Sequence, residues 1–443
     1  MSLPVVAVVG RPNVGKSTFF NRIVGNRLSI IEDTPGVTRD RIYAEAEWNG
    51  KRFALIDTGG IDPDTEDVIM AQMREQAVVA MEMADVIVFV TDVKEGLTPA
   101  DREVALMLRR ARAKVVLLAN KADNAGTKGT PENLYDFYEL GLGDPIPVSA
   151  ANMTNLGDVL DEITLGLPES GAEEDDDAVK IAVIGKPNVG KSSFVNAILG
   201  EQRVIVSDIA GTTRDSIDTP FEIEGEKFVL IDTAGIRRKA RVKESIEYYS
   251  TVRAIGAVER SDVCVLMIDA QDGVTDQDKR IAGIAHEAGK GIVIAVNKWD
   301  LIKKETGTLE EFEKRMEREM PFLGYAPIIF ISVVRGQRLG NVMNAVRAAA
   351  ENRSMRIPTG ELNSLVQDAV MMHAPPSDKG KRMKIYYATQ VGIRPPLFSF
   401  QINSRKLLHF SYSRYLENRI REAYGFGGTS IKFVFREKAD KRA

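Results

Sequence analysis

The octapeptide Gly10-Arg11-Pro12-Asn13-Val14-Gly15-Lys16-Ser17 follows the apolar run VVAVV and leads into the helical pattern STFFNRIVG. A glycine-rich loop between a strand and a helix is the setting of a phosphate-binding loop. Its glycines let backbone N–H groups approach phosphate oxygens without a Cβ clash. The helix that follows turns the positive end of its dipole toward the same anion. In such a loop Lys16 neutralises β- and γ-phosphates, and the Ser17 hydroxyl binds Mg2+. The pattern returns as Gly185-Lys186-Pro187-Asn188-Val189-Gly190-Lys191-Ser192, again behind a strand-like run, IAVI. Two such loops in matching contexts make a chance match negligible.

The offset of 175 residues also relates Thr38 to Thr213 and Asp57 to Asp232. It drifts to 177 for Asn120 with Asn297 and to 183 for Ser149 with Ser332. One domain therefore stands twice in tandem, with a period far beyond the roughly 20–50 residues of a solenoid repeat. We read residues 4–168 as the first copy, 169–178 as a linker, 179–352 as the second copy, 353–437 as a third domain and 438–443 as a basic tail. The linker carries Glu169, Glu173, Glu174, Asp175, Asp176 and Asp177 with no base, so it reads as a self-repelling spacer. A chain of 443 residues accommodates three domains.

Within each copy, short β-branched runs alternate with helical patterns. VIVFVTD and KVVLLANKAD recur as VCVLMIDA and GIVIAVNKWD. Continuous apolar strands of this kind are buried on both faces, which points to an α/β fold with a mostly parallel sheet flanked by helices. Asn49-Gly50 is a strong two-residue turn signal and Glu224-Gly225 a weaker one, so each copy is expected to carry one antiparallel edge strand.

Asp57 and Asp232 are expected to end strands, in Asp57-Thr58-Gly59-Gly60-Ile61 and Asp232-Thr233-Ala234-Gly235-Ile236. A carboxylate there can hold the Mg2+ shell, and Gly60 and Gly235 can offer an N–H to a γ-phosphate. Asn120-Lys121-Ala122-Asp123 and Asn297-Lys298-Trp299-Asp300 close buried strands. Asp123 and Asp300 can accept from guanine N1–H and its exocyclic amine together. Adenine presents an acceptor at N1 and lacks that amine, so a site built for those bonds rejects it by a factor on the order of 10⁴. Asn120 and Asn297 would brace the loop, and Lys121 and Lys298 can lie over the base. The ligand is then GTP rather than ATP.

These motifs together resemble the five G motifs of Era-like GTPases, and the tandem duplication with a basic third domain resembles the Der/EngA family of bacterial double GTPases in ribosome assembly. The resemblance covers essentially the whole chain. It implies that Thr38 and Thr213 are switch threonines that close on Mg2+, and that Ser149-Ala150 forms the last guanine-contacting loop. Ser332-Val333 stands there in the second copy, where Val replaces the usual Ala and its backbone N–H can still serve. Ile61 and Ile236 take the place where many GTPases carry a water-orienting Gln, so slow intrinsic hydrolysis is expected. Asn13 and Asn188 match a feature of potassium-activated relatives, which implies K+ stimulation. The resemblance implies GTP and GDP as ligands, the large ribosomal subunit and its rRNA as partners, and a factor in assembly of that subunit. An alternative reading keeps one copy catalytic and the other as a nucleotide-held, RNA-binding scaffold.

The formal charge is −4, unevenly placed: residues 355–443 hold 16 Lys+Arg against 7 Asp+Glu. A basic end on an acidic body suggests a polyanion contact. The order αββαβ expected there resembles a KH-like domain, with a helix over SYSRYLENRIREAYG capped by Ser411 or Ser413 and ended by Gly425. The one literal GxxG, Gly425-Phe426-Gly427-Gly428, falls between helix and strand and reads as a turn. RNA backbone contact and docking onto the GTPase copies both remain open for this domain. Downstream of Asp232, Arg237, Arg238, Lys239, Arg241 and Lys243 crowd a switch position. Lone Cys264 reads as a buried filler, and the three histidines show no ligand spacing. No apolar run is long enough for a membrane helix. The N-terminus lacks a basic leader, so a cytoplasmic protein is expected; a monomer is expected as well.

Overall fold

The computed structural model describes residues 3–24, 43–58, 66–123, 132–168, 178–200, 204–206, 218–232, 246–303, 305–378 and 381–437. Thr38, Gly59, Gly60, Ile61, Thr213, Thr233, Ala234, Gly235, Ile236, the acidic run 169–177, the basic run 237–243 and the tail 438–443 lie outside the described residues.

Val5–Val9 forms β1, in which no side chain reaches solvent. Its residues alternate between two cores, as a strand period of two requires. Val6 and Val8 pack with Phe19, Phe53 and Leu55, while Ala7 and Val9 pack with Met73, Phe89 and Leu117. Burying each such aliphatic side chain contributes about 1.5–3 kcal/mol before chain entropy is counted. The sheet runs β2 (Tyr43–Trp48), β3 (Lys51–Asp57), β1, β4 (Val86–Asp92), β5 (Lys114–Asn120), β6 (Ile146–Pro147). Only β2 is antiparallel. Asn49 and Gly50 take φ of 50° and 77°, the two positive values a tight hairpin needs. Helices α1 (Lys16–Ile23), α2 (Glu66–Met83), α3 (Pro99–Leu108) and α4 (Leu156–Gly166) complete the first copy. Chain order reverses at β1, which opens a crevice at the carboxyl ends of the strands.

The second copy repeats this plan in β7 (Val179–Ile184), α5 (Lys191–Leu199), β8 (Val204–Val206), β9 (Thr219–Ile223), β10 (Glu226–Leu230), α6 (Ile246–Arg260), β11 (Val263–Asp269), α7 (Asp276–Glu287), β12 (Gly291–Asn297), α8 (Thr308–Glu319), β13 (Ile328–Phe330) and α9 (Leu339–Ser354). Its sheet order is β13-β12-β11-β7-β10-β9-β8. The expectation of a single antiparallel edge strand is corrected here. β9 pairs antiparallel with β10, and β8 then pairs antiparallel with β9 to become the edge. Three residues, VIV, supply too short a pattern to declare a strand. Cys264 is buried in β11, and burial pushes its thiol up to about 11.

The third domain comprises α10 (Thr359–Met372), the two-residue strands β14 (Ser377–Asp378) and β15 (Lys381–Arg382), then β16 (Ile385–Gly392), β17 (Leu397–Ile402), α11 (Phe410–Tyr424) and β18 (Lys432–Glu437). The open edge of β16 is blunted by Asn363, whose amide bonds both the N–H and the C=O of Ala388 at 2.9 and 2.8 Å. The cap of α11 differs from the expectation. His409 is the N-cap, its ring accepting from the Ser411 N–H, so neither Ser411 nor Ser413 caps; Gly425 ends the helix as read.

The three domains pack together. Val79 and Met83 of α2 join one apolar cluster with Val252 and Ile255 of α6. Gly425–Gly428 is the seam of the third domain onto the second copy. Ile292 N–H donates to Gly428 O at 2.7 Å, Asn352 to Gly427 O at 2.8 Å, and Gly428 N–H to Tyr325 O at 2.8 Å. The Arg421 guanidinium lies 4.5 Å over the Tyr325 ring.

Candidate nucleotide sites

Each P-loop ends on a left-handed glycine, Gly15 at φ 95° and Gly190 at φ 102°, directly before α1 and α5. A Cβ there would meet Nδ2 of Asn120 or Asn297 at 2.4 Å, so only glycine fits. Val14 and Val189 are wholly buried and anchor each loop in the core. Pro12 and Pro187 sit beside Asn13 and Asn188, both left-handed at φ 64°. Lys16 Nζ curls back to donate to Gly10 O and Arg11 O, both at 2.7 Å. Lys191 does the same to Gly185 O and Lys186 O at 2.6 and 2.8 Å. An ammonium held by the rim of its own loop is already centred for an anion. Burial lowers the Lys191 ammonium to about 8.

Asn120 and Asn297 tie three segments together. Asn120 Nδ2 donates to Val14 O at 2.7 Å while its Oδ1 accepts from Ala150 N–H at 3.0 Å. Asn297 makes the same pair to Val189 O and Val333 N–H at 2.8 and 3.1 Å. The Val at 333 therefore uses its N–H as the Ala at 150 does. Asp123 accepts from Ser149 Oγ at 2.8 Å, and Ala122 N–H donates to Val148 O. Ser332 lies within the matching loop, and Trp299 turns its ring into the core against Phe330, 4.3 Å between centroids.

Asp57 is the last residue of β3, buried, and accepts from Ser17 Oγ at 3.1 Å. A hydroxyl and a carboxylate so close form the hard-oxygen pair that Mg2+ takes alongside phosphates and waters, so these residues fit the ion. Thr58 is turned away from the crevice, its hydroxyl on Val8 O, and braces β3 to β1. The expectation that Asp232 likewise ends a strand is corrected. β10 stops at Leu230, and Asp232 lies beyond it at φ 56° with its N–H on Asp218 Oδ1 at 3.0 Å. There Asp232 borders the cleft against the first copy, beside Glu82, Met83, Arg253 and Arg260.

The acidic partners of the site's cations escaped the sequence reading. Lys121 and Lys298 anchor their ammoniums on Asp92 and Asp269, at 2.6 and 2.5 Å. Arg11 pairs with Glu95 and, at 3.4 Å, with Asp101; Lys186 pairs with Asp272 at 2.6 Å. The signal was present, since Asp92 and Asp269 stand 177 apart, the offset of Asn120 and Asn297.

A model described as "50S ribosome-binding GTPase" matches residues 5–121 and 180–298, and one described as "KH-domain-like of EngA bacterial GTPase enzymes, C-terminal" matches 356–436. GTPase Der of Alkaliphilus metalliredigens is 58% identical over 100% of both chains, and so is that of Alkaliphilus oremlandii. The chain belongs to the Der family of GTPases. It is a GTP hydrolase with two α/β GTPase domains and a C-terminal KH-like domain, and GTPases of this kind generally use Mg2+. Among solved structures, Era of Aquifex aeolicus bound to GDP and AlF4− is similar at 20% identity and TM-score 0.31, over 75% of this chain and 93% of that one. Among the described residues of this Der-family chain, no helix is long and apolar enough to cross a membrane.

Proposed function

We propose that this chain binds and hydrolyses GTP at two sites and serves as a nucleotide-controlled factor in assembly of the large ribosomal subunit. One observation carries the two-site reading: the same asparagine bridge joins P-loop to last loop in both copies, at Asn120 and Asn297. The domain limits at 168, 178 and 352 belong to the same reading. Water attacks the γ-phosphorus, the bond to the β-phosphate oxygen breaks, and that oxygen leaves on GDP with the electron pair. Lys16 and Lys191 stabilise the charge gathering there, with P-loop N–H groups beside them. Ser17 and Asp57 would hold Mg2+ in the first copy, and their counterparts Ser192 and Asp232 would do so in the second if Asp232 turns toward the P-loop; the ion would neutralise phosphate oxygens. Thr38 and Thr213 would close on it, with Gly60 and Gly235 reading the γ-phosphate. K+ held in part by Asn13 or Asn188 would supply the charge that Ile61 and Ile236 cannot.

The ribosomal partner is read from the family's description and from the basic third domain. With Gly425–Gly428 committed to the second copy, RNA contact falls to the other sheet face. There Tyr387, Gln401 and Arg436 stand in one cross-strand row, Tyr387 about half exposed. An aromatic ring beside an amide and a guanidinium suits an unpaired base and its phosphate. The protein acts in the cytoplasm as a monomer on this reading. Nucleotide titration of Lys16→Ala and Lys191→Ala tests it, each variant keeping one bound nucleotide. Loss of all binding in either would overturn independent sites. Co-sedimentation with ribosomal subunits in GTP, GDP and a non-hydrolysable analogue tests the partner.

One observation favours a second reading, in which the second copy is a nucleotide-held scaffold: Asp232 faces the first copy rather than closing a strand beside Ser192. Single-turnover rates of the two lysine variants separate these readings.

A further inference from the structure

The two guanine-reading aspartates stand in pockets of matching backbone and differ in their charged neighbours. In the first copy Asp92 Oδ1 accepts from Lys94 N–H at 2.9 Å, which turns the chain after β4 back over the pocket. Lys94 Nζ then reaches Asp123 Oδ2 at 2.5 Å. In the second copy Asp269 Oδ1 accepts from Gln271 N–H at 3.0 Å, the same turn at the same offset. Gln271 carries no charge. Asp300 Oδ2 pairs instead with a cation from the opposite loop, Arg335 Nε at 3.5 Å.

We propose that Lys94 is an affinity-setting latch that competes with guanine for Asp123, so that loading of the first site carries an electrostatic cost set by that lysine. The inference rests on Asp123 reading guanine. That carboxylate has two oxygens, and guanine needs both as acceptors for N1–H and the exocyclic amine. Oδ1 already accepts from Ser149 Oγ at 2.8 Å and from Asn152 Nδ2 at 3.3 Å, and Oδ2 accepts from Lys94. The Lys94 bond, ahead of that from Ser149, holds the Asp123 carboxyl below its usual range, so the latch is an ion pair rather than a neutral contact. Lys94 is well exposed, so the competition is modest and screened by salt.

The test uses the full chain with Lys191→Ala added, so that a fluorescent GDP reports the first site. Lys94→Gln should tighten binding roughly two- to fivefold at low ionic strength. The gain should vanish at about 1 M KCl, where the Debye length is about 3 Å. Lys94→Arg should match the parent, because it keeps the cation. In the reciprocal chain with Lys16→Ala, Gln271→Lys should weaken the second site by a similar factor. A Lys94→Gln affinity equal to or weaker than the parent at low salt overturns the latch, as does a gain that persists at high salt. Asp123→Asn keeps the two readings apart. If it loses GDP while Lys94→Gln changes nothing, only the latch fails. If it retains GDP, the assignment of Asp123 to guanine fails with it.

Discussion

The Tyr43 hydroxyl donates to Glu259 Oε1 at 2.5 Å, joining β2 of the first copy to α6 of the second. Glu259 is almost wholly buried, and its backbone oxygen takes a second bond from Lys290 Nζ at 2.7 Å. Burial, then the Glu259 charge, holds the Tyr43 phenol well above its ordinary value, so it remains a donor at any working pH. Tyr43→Phe strands a buried carboxylate oxygen, at a cost of about 1–3 kcal/mol. Hydrogen exchange at Tyr43–Trp48 should therefore accelerate roughly tenfold or more if this seam protects the strand. Unchanged protection would show that the bond contributes nothing there.

A second contact of the same seam tests packing rather than polarity. A Cβ on Gly256 would lie 2.7 Å from Met83 Cε and 3.1 Å from its Cβ. Methionine is flexible, so Gly256→Ala should shift α2 and α6 apart at a cost of about 1–3 kcal/mol. Met83→Ala makes room, so the double variant should recover part of that loss. Additive losses in thermal unfolding would place the two helices out of contact.

What the sequence made legible and what it hid divide along one physical line. The P-loops were readable because an anion cradle is built from consecutive residues whose backbone does the work. The buried strands were readable because β-branched runs have one economical environment. The Asx turns at Asp92 and Asp269 depend on a neighbouring strand end, and the pairs Lys121–Asp92 and Lys94–Asp123 join segments about thirty residues apart. No local period announces them. The cap of α11 was misread because serine is the common N-cap, whereas the His409 ring does the accepting. Asp232 was misplaced because repeat alignment transfers residue identity, while the end of β10 is set by where its pairing with β7 stops.

Lys191 gives a pH dependence with a fixed sign. Burial lowers its folded value from 10.5 to about 8, so the ammonium is present below pH 8 and lost above it. A neutral amine does not neutralise phosphate. Nucleotide affinity of the second site, read in Lys16→Ala, should therefore fall as pH rises from about 7 to about 9. A flat profile across that range would show that bound phosphate fully restores the charge.

Potassium is the next test, since both P-loop asparagines hold the same left-handed backbone at φ 64°. GTP turnover should be faster in KCl than in NaCl at equal ionic strength. Asn13→Ala and Asn188→Ala should each remove the stimulation at one site. Equal turnover in the two salts would reject a potassium role and return the asparagines to loop bracing.

His286 sits at the seam with the third domain, its Nδ1 2.9 Å from Tyr325 Oη and its ring against Phe322. Burial first, then the Lys432 and Arg421 charges, lowers it from 6.5 to about 4. A depressed histidine contributes stability that is fully present above the unfolded value of 6.5. It is lost as pH falls toward 4, because only the unfolded chain takes up the proton in that window. His286→Asn keeps a polar atom near Tyr325 but cannot titrate. The wild-type chain should therefore lose stability between pH 6.5 and 4 more steeply than the variant, by at most about 1.4 kcal/mol per pH unit. Parallel curves of unfolding midpoint against pH would mean that His286 takes its proton without leaving the seam.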